Sequence, residues 1–183
     1  MRGLDDTQPR RSTKTRRVVL ALLAAAFALG WLPGSVFGQQ KSLKEQIVGT
    51  WLAVSWEQDV PNSPRFQRYG ANPRGGYVFD STGHFFSVYA RPDLPQIASK
   101  NPSTPTPEEA KAIVSGSIGL AGTYTVDEAS KTITLRIEGS SFPNQMGGDQ
   151  KRVITSLTAD ELRFQNPTAI TGGTIYYVFR RAK

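Results

Sequence analysis

From residue 49 to the C-terminus, short runs rich in Val, Ile, Tyr, Phe and Thr alternate with turn-forming residues every eight to twelve positions. Alternation with a period of two over runs this short marks strands with one buried face. The pattern predicts strands over 49–59, 75–80, 84–91, 122–127, 132–139, 150–157, 161–165 and 174–181. Ser81-Thr82-Gly83, Glu128-Ala129-Ser130-Lys131 and Thr158-Ala159-Asp160 supply hairpin turns between consecutive runs. One segment between the third and fourth strands reads as helix. Thr106-Pro107-Glu108-Glu109 is a capping box with proline at the first helical position, and Ala110 to Val114 continue it. Before it, 92–105 holds four prolines and no periodicity, which predicts a long ordered loop.

Eight short strands in sequential antiparallel order can form a sandwich or close into an up-and-down barrel. Trp51 and Trp56 lie five residues apart. An odd spacing puts them on opposite faces of a regular strand. A first strand that bends between two halves of one barrel buries its inner face, and its outer face wherever a helix or loop covers it. The expected fold is therefore all-β, an eight-stranded up-and-down antiparallel barrel with one short helix between the third and fourth strands.

Charge changes the picture at the N-terminus. Residues 1–17 are polar and basic, 18–32 form an uninterrupted apolar run, and Pro33-Gly34-Ser35 breaks it. This order reads as a cleavable export signal over 1–38, with Val36 and Gly38 at the two positions that take small side chains. Fifteen helical residues span about 22 Å, short of the roughly 30 Å of a bilayer core, so no stable membrane anchor is expected after cleavage. The mature domain would run over 39–183 and reside in the periplasm or outside the cell. Arg10-Arg11 leave open the choice between the two bacterial export routes. Residues 1–38 hold six Lys or Arg and two Asp, so their removal lowers the net charge from +7 to +3. No clustered basic face remains, which disfavours nucleic-acid partners. The chain has no cysteine and one histidine, and no carboxylate cluster stands out, so no metal or other cofactor is expected. Oligomeric state is not legible.

Several spaced motifs add a family to this reading. Gly49-Thr50-Trp51, after a short helical-looking 42–48, resembles the G-x-W opening of lipocalin and related calycin barrels. Asn72-Pro73-Arg74-Gly75, Arg91-Pro92-Asp93, Thr106 to Ala110, Ala121 to Glu128, Glu138-Gly139-Ser140 and Pro143-Asn144 follow in order, with Gly147, Gln150 and Arg152 after them. Over nearly all of 47–181 the chain resembles the bacterial and fungal lipocalin-like domain family. The resemblance implies a barrel with one open mouth and a small hydrophobic ligand. It also implies that Trp51 closes the other end beneath an arginine of the last strand, Arg180 or Arg181. Two departures stand out. Gly119-Leu120 replace aromatic residues ahead of the Ala-Gly pair, and Leu135-Arg136 stand where many members carry histidines.

Candidate lumen chemistry follows from strand alternation. Phe85, Ser87, Tyr89 and Arg91 share one face, Gln150, Arg152 and Ile154 another, and Thr134, Arg136 and Glu138 a third. Pointing inward, these sets would make a lumen apolar at depth with polar groups near its rim. With Tyr124 added, the candidate ligand-binding residues are Phe85, Ser87, Tyr89, Arg91, Tyr124, Glu138, Gln150 and Arg152. Arg152 suits a carboxylate, either a ligand's or that of Glu138 across adjacent strands. The expected cavity lies among strands 84–91, 132–139 and 150–157, covered at its mouth by residues 92–105.

The leading reading is an exported module that binds a small hydrophobic, carboxylate-bearing molecule. The alternative is an isomerase or cyclase acting on a small apolar substrate in the same cavity, with Glu138 as base and Tyr124 or Arg152 as electrostatic partner. An interaction role for the proline-rich loop 92–105 is a third. A chain without cysteine or nucleophile elbow, and with one isolated histidine, offers little for acyl transfer or hydrolysis.

Overall fold

The computed structural model describes residues 41–183; the expected leader over 1–38 and its cut lie outside the described residues. Eight strands, β1 (Gly49–Asp59), β2 (Arg74–Phe79), β3 (His84–Ala90), β4 (Ser117–Asp127), β5 (Thr132–Ser140), β6 (Asp149–Leu157), β7 (Glu161–Asn166) and β8 (Thr174–Arg181), follow one another in order. Each pairs antiparallel with the next, and β1 pairs with β8 to close the barrel. Helix α1 (Leu43–Ile47) precedes β1, and α2 (Pro107–Gly116) connects β3 to β4. The predicted capping box of α2 is made in both directions between Thr106 and Glu109. β4 begins at Ser117, five residues before the predicted start, because the ladder to β3 carries a Ser-Ile-Gly stretch with weak strand character of its own.

The two tryptophans of β1 do not occupy opposite faces. Ala53 pairs with Phe179 and Ser55 with Val178, so Val54 is an extra residue on β1. Such a bulge advances the strand by one position and reverses which face its later residues occupy. Trp51 before it and Trp56 after it therefore both point into the barrel, and both are buried. No outer cover is required. Leu52, Val54, Val78, Phe86 and Val88 lie exposed on the outside of β1 to β3.

One end of the barrel is closed by α1. Its first N–H groups, Leu43 and Lys44, donate to the Glu128 carboxylate at 2.9 and 3.2 Å. At its other end the carbonyls of Gln46 and Val48 accept from Arg181 at 2.6 and 2.8 Å. A helix of five residues is too short to persist alone, and these contacts satisfy the backbone groups its ends leave open. Trp51 donates from Nε1 to Ile47 O at 2.7 Å, directly beneath the helix. Above Trp51 the lower barrel is packed solid with Phe79, Phe85, Phe164, Phe179, Ile133 and Leu135, all buried. Ring centroids 5.0 Å apart for Phe164–Phe179 and 5.1 Å for Tyr77–Phe79 are ordinary aromatic contact distances.

Candidate functional site

The upper half of the barrel holds a cavity of about 470 Å³. Its depth can be read strand by strand. Tyr77 lines it but the next inward residue, Phe79, does not; the same holds for Tyr89 above Ser87, Tyr177 above Phe179 and Arg152 above Ile154. Those four side chains form the floor. Trp56 and Tyr69 complete an aromatic wall, meeting edge to face with centroids 5.0 Å apart, and Trp56 meets Tyr177 in the same way at 6.0 Å. Nearer the mouth the lining mixes aliphatic and polar side chains, with Lys111, Ile113, Val114 and Ser115 of α2 and Ile170 and Thr171 of the β7–β8 loop.

Arg152 is buried at this floor, with 2% of its surface exposed. It donates from Nη2 to Gln150 Oε1 at 2.6 Å and from Nη1 to Lys151 O at 3.0 Å. Among the described residues its Nε–H has no partner, and no carboxylate stands within ion-pair distance. The guanidinium carbon lies 5.6 Å from the Tyr177 ring centroid. A cation over a desolvated ring gains up to about 2 kcal/mol. Burying an ion costs several kcal/mol even after relaxation, so the ring alone does not compensate it. Tyr89 Oη and Ser87 Oγ are also buried without partners. Burial raises the Tyr89, Tyr177 and Tyr69 phenols above their ordinary value, so they remain protonated donors at neutral pH. Arg68 and Lys111 add two further cations to the cavity wall, and none of the lining residues is acidic.

The sequence-derived candidates separate into several places. Tyr89, Gln150 and Arg152 line the cavity. Ser87 is buried on the same face of β3, between Tyr89 and Phe85, and Phe85 is part of the packed plug below the floor. Tyr124 sits at the closed end, where its hydroxyl donates to Asp80 O at 2.7 Å and its ring meets Phe79 at 5.1 Å. Arg91 is outside the barrel, donating from Nε to Asp93 Oδ1 at 2.9 Å. Glu138 is exposed on the outer face of β5, where it accepts from Thr123 Oγ1 at 3.3 Å.

The β5 assignment was inverted: Ile133, Leu135 and Ile137 point inward, and Thr134, Arg136 and Glu138 outward. Arg152 and Glu138 therefore cannot pair, and Glu138, Tyr124 and Arg152 do not share a site. Two further expectations change. The depth is filled rather than open, and a charged group, Arg152, sits at the floor in addition to polar residues such as Lys111 and Ser115 nearer the mouth. None of residues 92–105 lines the cavity; α2 flanks the mouth instead, through Lys111, Ile113, Val114 and Ser115. The loop braces that helix, with Glu109 accepting from Ala98 N at 3.0 Å.

Trp56, Tyr69, Tyr77 and Tyr177 were missed as lining residues. Alternation on β2 and β8 could have found Tyr77 and Tyr177, whereas Trp56 depends on the bulge and Tyr69 lies outside any strand. Among the described residues, no group of three His, Cys, Asp or Glu side chains could hold a metal ion.

The profile of the lipocalin-like domain matches residues 48–174. A comparison with curated proteins returns no match. Among solved structures, a lipocalin-like protein from Bacteroides uniformis ATCC 8492 is 12% identical, with 75% of this chain and 99% of that chain covered at a TM-score of 0.42. With a profile match across more than half of its length, over the first seven strands of the barrel, this chain belongs to the lipocalin-like domain family.

Proposed function

We propose that this protein is an exported binding module whose barrel takes one small hydrophobic molecule bearing a carboxylate. The observation that carries the reading is Arg152, a buried guanidinium at the cavity floor with an unpartnered Nε–H and no acidic neighbour. A ligand carboxylate would supply the missing counter-charge, and the aromatic and aliphatic walls would take up the apolar remainder. A volume of about 470 Å³ falls in the range of small-molecule sites. Export rests on the basic, apolar and small-residue order of residues 1–38.

The test is a pair of titrations with a fluorescent fatty acid and its methyl ester. The acid is expected to bind more tightly, and Arg152→Met to erase the difference. Equal affinity of acid and ester for the parent protein would refute the carboxylate reading. Mass spectrometry of small molecules extracted from the purified protein would identify a natural occupant.

A further inference from the structure

Arg152 on the cavity floor fixes where an anion would go, and the order of side chains above it constrains the rest of the molecule. From the floor upward the wall passes from Tyr77, Tyr89 and Tyr177, with Trp56 and Tyr69 beside them, to Leu120, Ile175, Ile113 and Ile170 toward the mouth. Immediately below Arg152 the barrel is closed by Ile154, Phe164 and Phe179, so nothing can extend past the anion. A bound molecule must enter acid first, and any bulk it carries must lie on the side away from its carboxylate.

Resting on the proposed function, we infer that the ligand class is aromatic acids: a planar ring bearing the carboxylate directly, its head on Arg152 and its substituents directed toward the mouth. Around the guanidinium the wall is rich in aromatic side chains: Tyr77, Tyr89 and Tyr177 at the floor, with Trp56, the cross-strand partner of Tyr177, and Tyr69 beside them. Trp56 already meets both Tyr69 and Tyr177 edge to face, at interplanar angles of 77° and 86°. A flat ring extends that array and gains contacts beyond its buried area, whereas an alkyl chain gains area alone. The alkyl chain must also give up rotational freedom to lie in a cavity of fixed shape. The head group finds donors on more than one side. Arg152 Nε and the hydroxyl of Tyr89 are both buried and unpartnered, and Tyr89 lies within the electrostatic reach of Arg152. An acid attached directly to a ring keeps carboxylate and ring at adjacent levels, matching the adjacency of donors and aromatic wall.

Calorimetric titration of the purified protein with 2-naphthoate, decanoate and their methyl esters tests this. We expect 2-naphthoate to bind about tenfold or more tightly than decanoate, and each acid to exceed its ester. A methoxy group at the naphthoate 6-position, pointing away from the acid, should leave affinity within about threefold; one at the 3-position, beside the acid, should weaken it about tenfold or more. Tyr89→Phe keeps the ring and should weaken the acid a few-fold while leaving the ester unchanged. If decanoate binds as well as naphthoate while both acids outrank their esters, the aromatic assignment falls and the carboxylate reading stands. If acids and esters bind alike, both fall. Failure of naphthoate to bind, or equal tolerance of the 3- and 6-substituents, also overturns the inference.

Discussion

Arg181 lies over Trp51, its guanidinium carbon 4.0 Å from the indole centroid, while the same guanidinium donates to the carbonyls of Gln46, Val48 and Ala159. One side chain thus caps the indole, holds the end of α1 and ties down the β6–β7 turn. Trp51→Ala is expected to cost about 3–5 kcal/mol, as large aromatic truncations in cores do. Arg181→Met keeps much of the packing but orphans three carbonyls, and is expected to cost about 2–3 kcal/mol. Urea melts of both variants check these values; a loss under about 1 kcal/mol for Trp51→Ala would contradict its role as the closure.

Gly49 stands beside that pair for a steric reason. Its φ is +130°, and a Cβ built there would lie 2.7 Å from Arg181 Nη1. Gly49→Ala is therefore expected to destabilise by about 1–3 kcal/mol, through backbone strain and displacement of the guanidinium. Combining Gly49→Ala with Arg181→Met should give less than the sum of the two losses, because both disturb one contact. Strict additivity in the double-variant melt would separate the glycine from the arginine.

The barrel was legible because strand order, turns and the α2 capping box are local signals. Which way the strands face was less so. Period-two alternation says which residues share a face, but the face that turns inward depends on pairing. On β5 the choice between Ile133-Leu135-Ile137 and Thr134-Arg136-Glu138 should have gone to the apolar set, since an unpaired lumen carboxylate is costly. On β1 no local signal marked Val54 as a bulge, because the extra residue is defined by its partners on β8. Arg152 was placed in the lumen by alternation alone. Its lack of a carboxylate partner follows from the outward face of Glu138, which strand pairing sets.

Stability should fall in alkali. Desolvation raises the Tyr89 and Tyr177 phenols above the ordinary value of 10.0. The unfolded chain then releases these protons first as pH climbs past about 10. A raised native pKa stabilises the fold fully below the unfolded value, and that contribution is lost as pH rises toward the native one. Near pH 11 each such tyrosine should remove on the order of 1 kcal/mol. Urea midpoints at pH 8 and pH 11 measure the loss, and Tyr177→Phe should shrink it by about one tyrosine's share. An unchanged pH dependence in that variant would mean that the Tyr177 phenol is reached by solvent.

Export makes a prediction about mass. If residues 1–38 are a cleaved signal, protein recovered from the periplasm or medium should begin at Gln39. Intact mass spectrometry reads this directly. Full-length chain in the membrane fraction would show instead that the apolar run is retained as an anchor.

Arg152 offers the sharpest separation of function from structure. A buried guanidinium kept for stability would be missed when removed, because its partners would be left unsatisfied. Here the charge is held by Gln150 Oε1, the Lys151 carbonyl and the neighbouring Tyr77 phenol, with no counter-charge among the described residues. Replacing whole buried ion pairs by apolar residues of similar volume is often neutral or stabilising by about 1–4 kcal/mol, and here no paired carboxylate would be left behind among the described residues. Arg152→Met is therefore expected to melt at the same urea concentration as the parent or higher, while its affinity for an acidic apolar probe falls about tenfold to a hundredfold. Affinity for the methyl ester should hold within about twofold. Glu138→Gln, on the outer face of β5, is the control and should change neither quantity. If Arg152→Met lowers stability by several kcal/mol and leaves acid and ester binding alike, the guanidinium is structural and the cavity selects its occupant by shape alone.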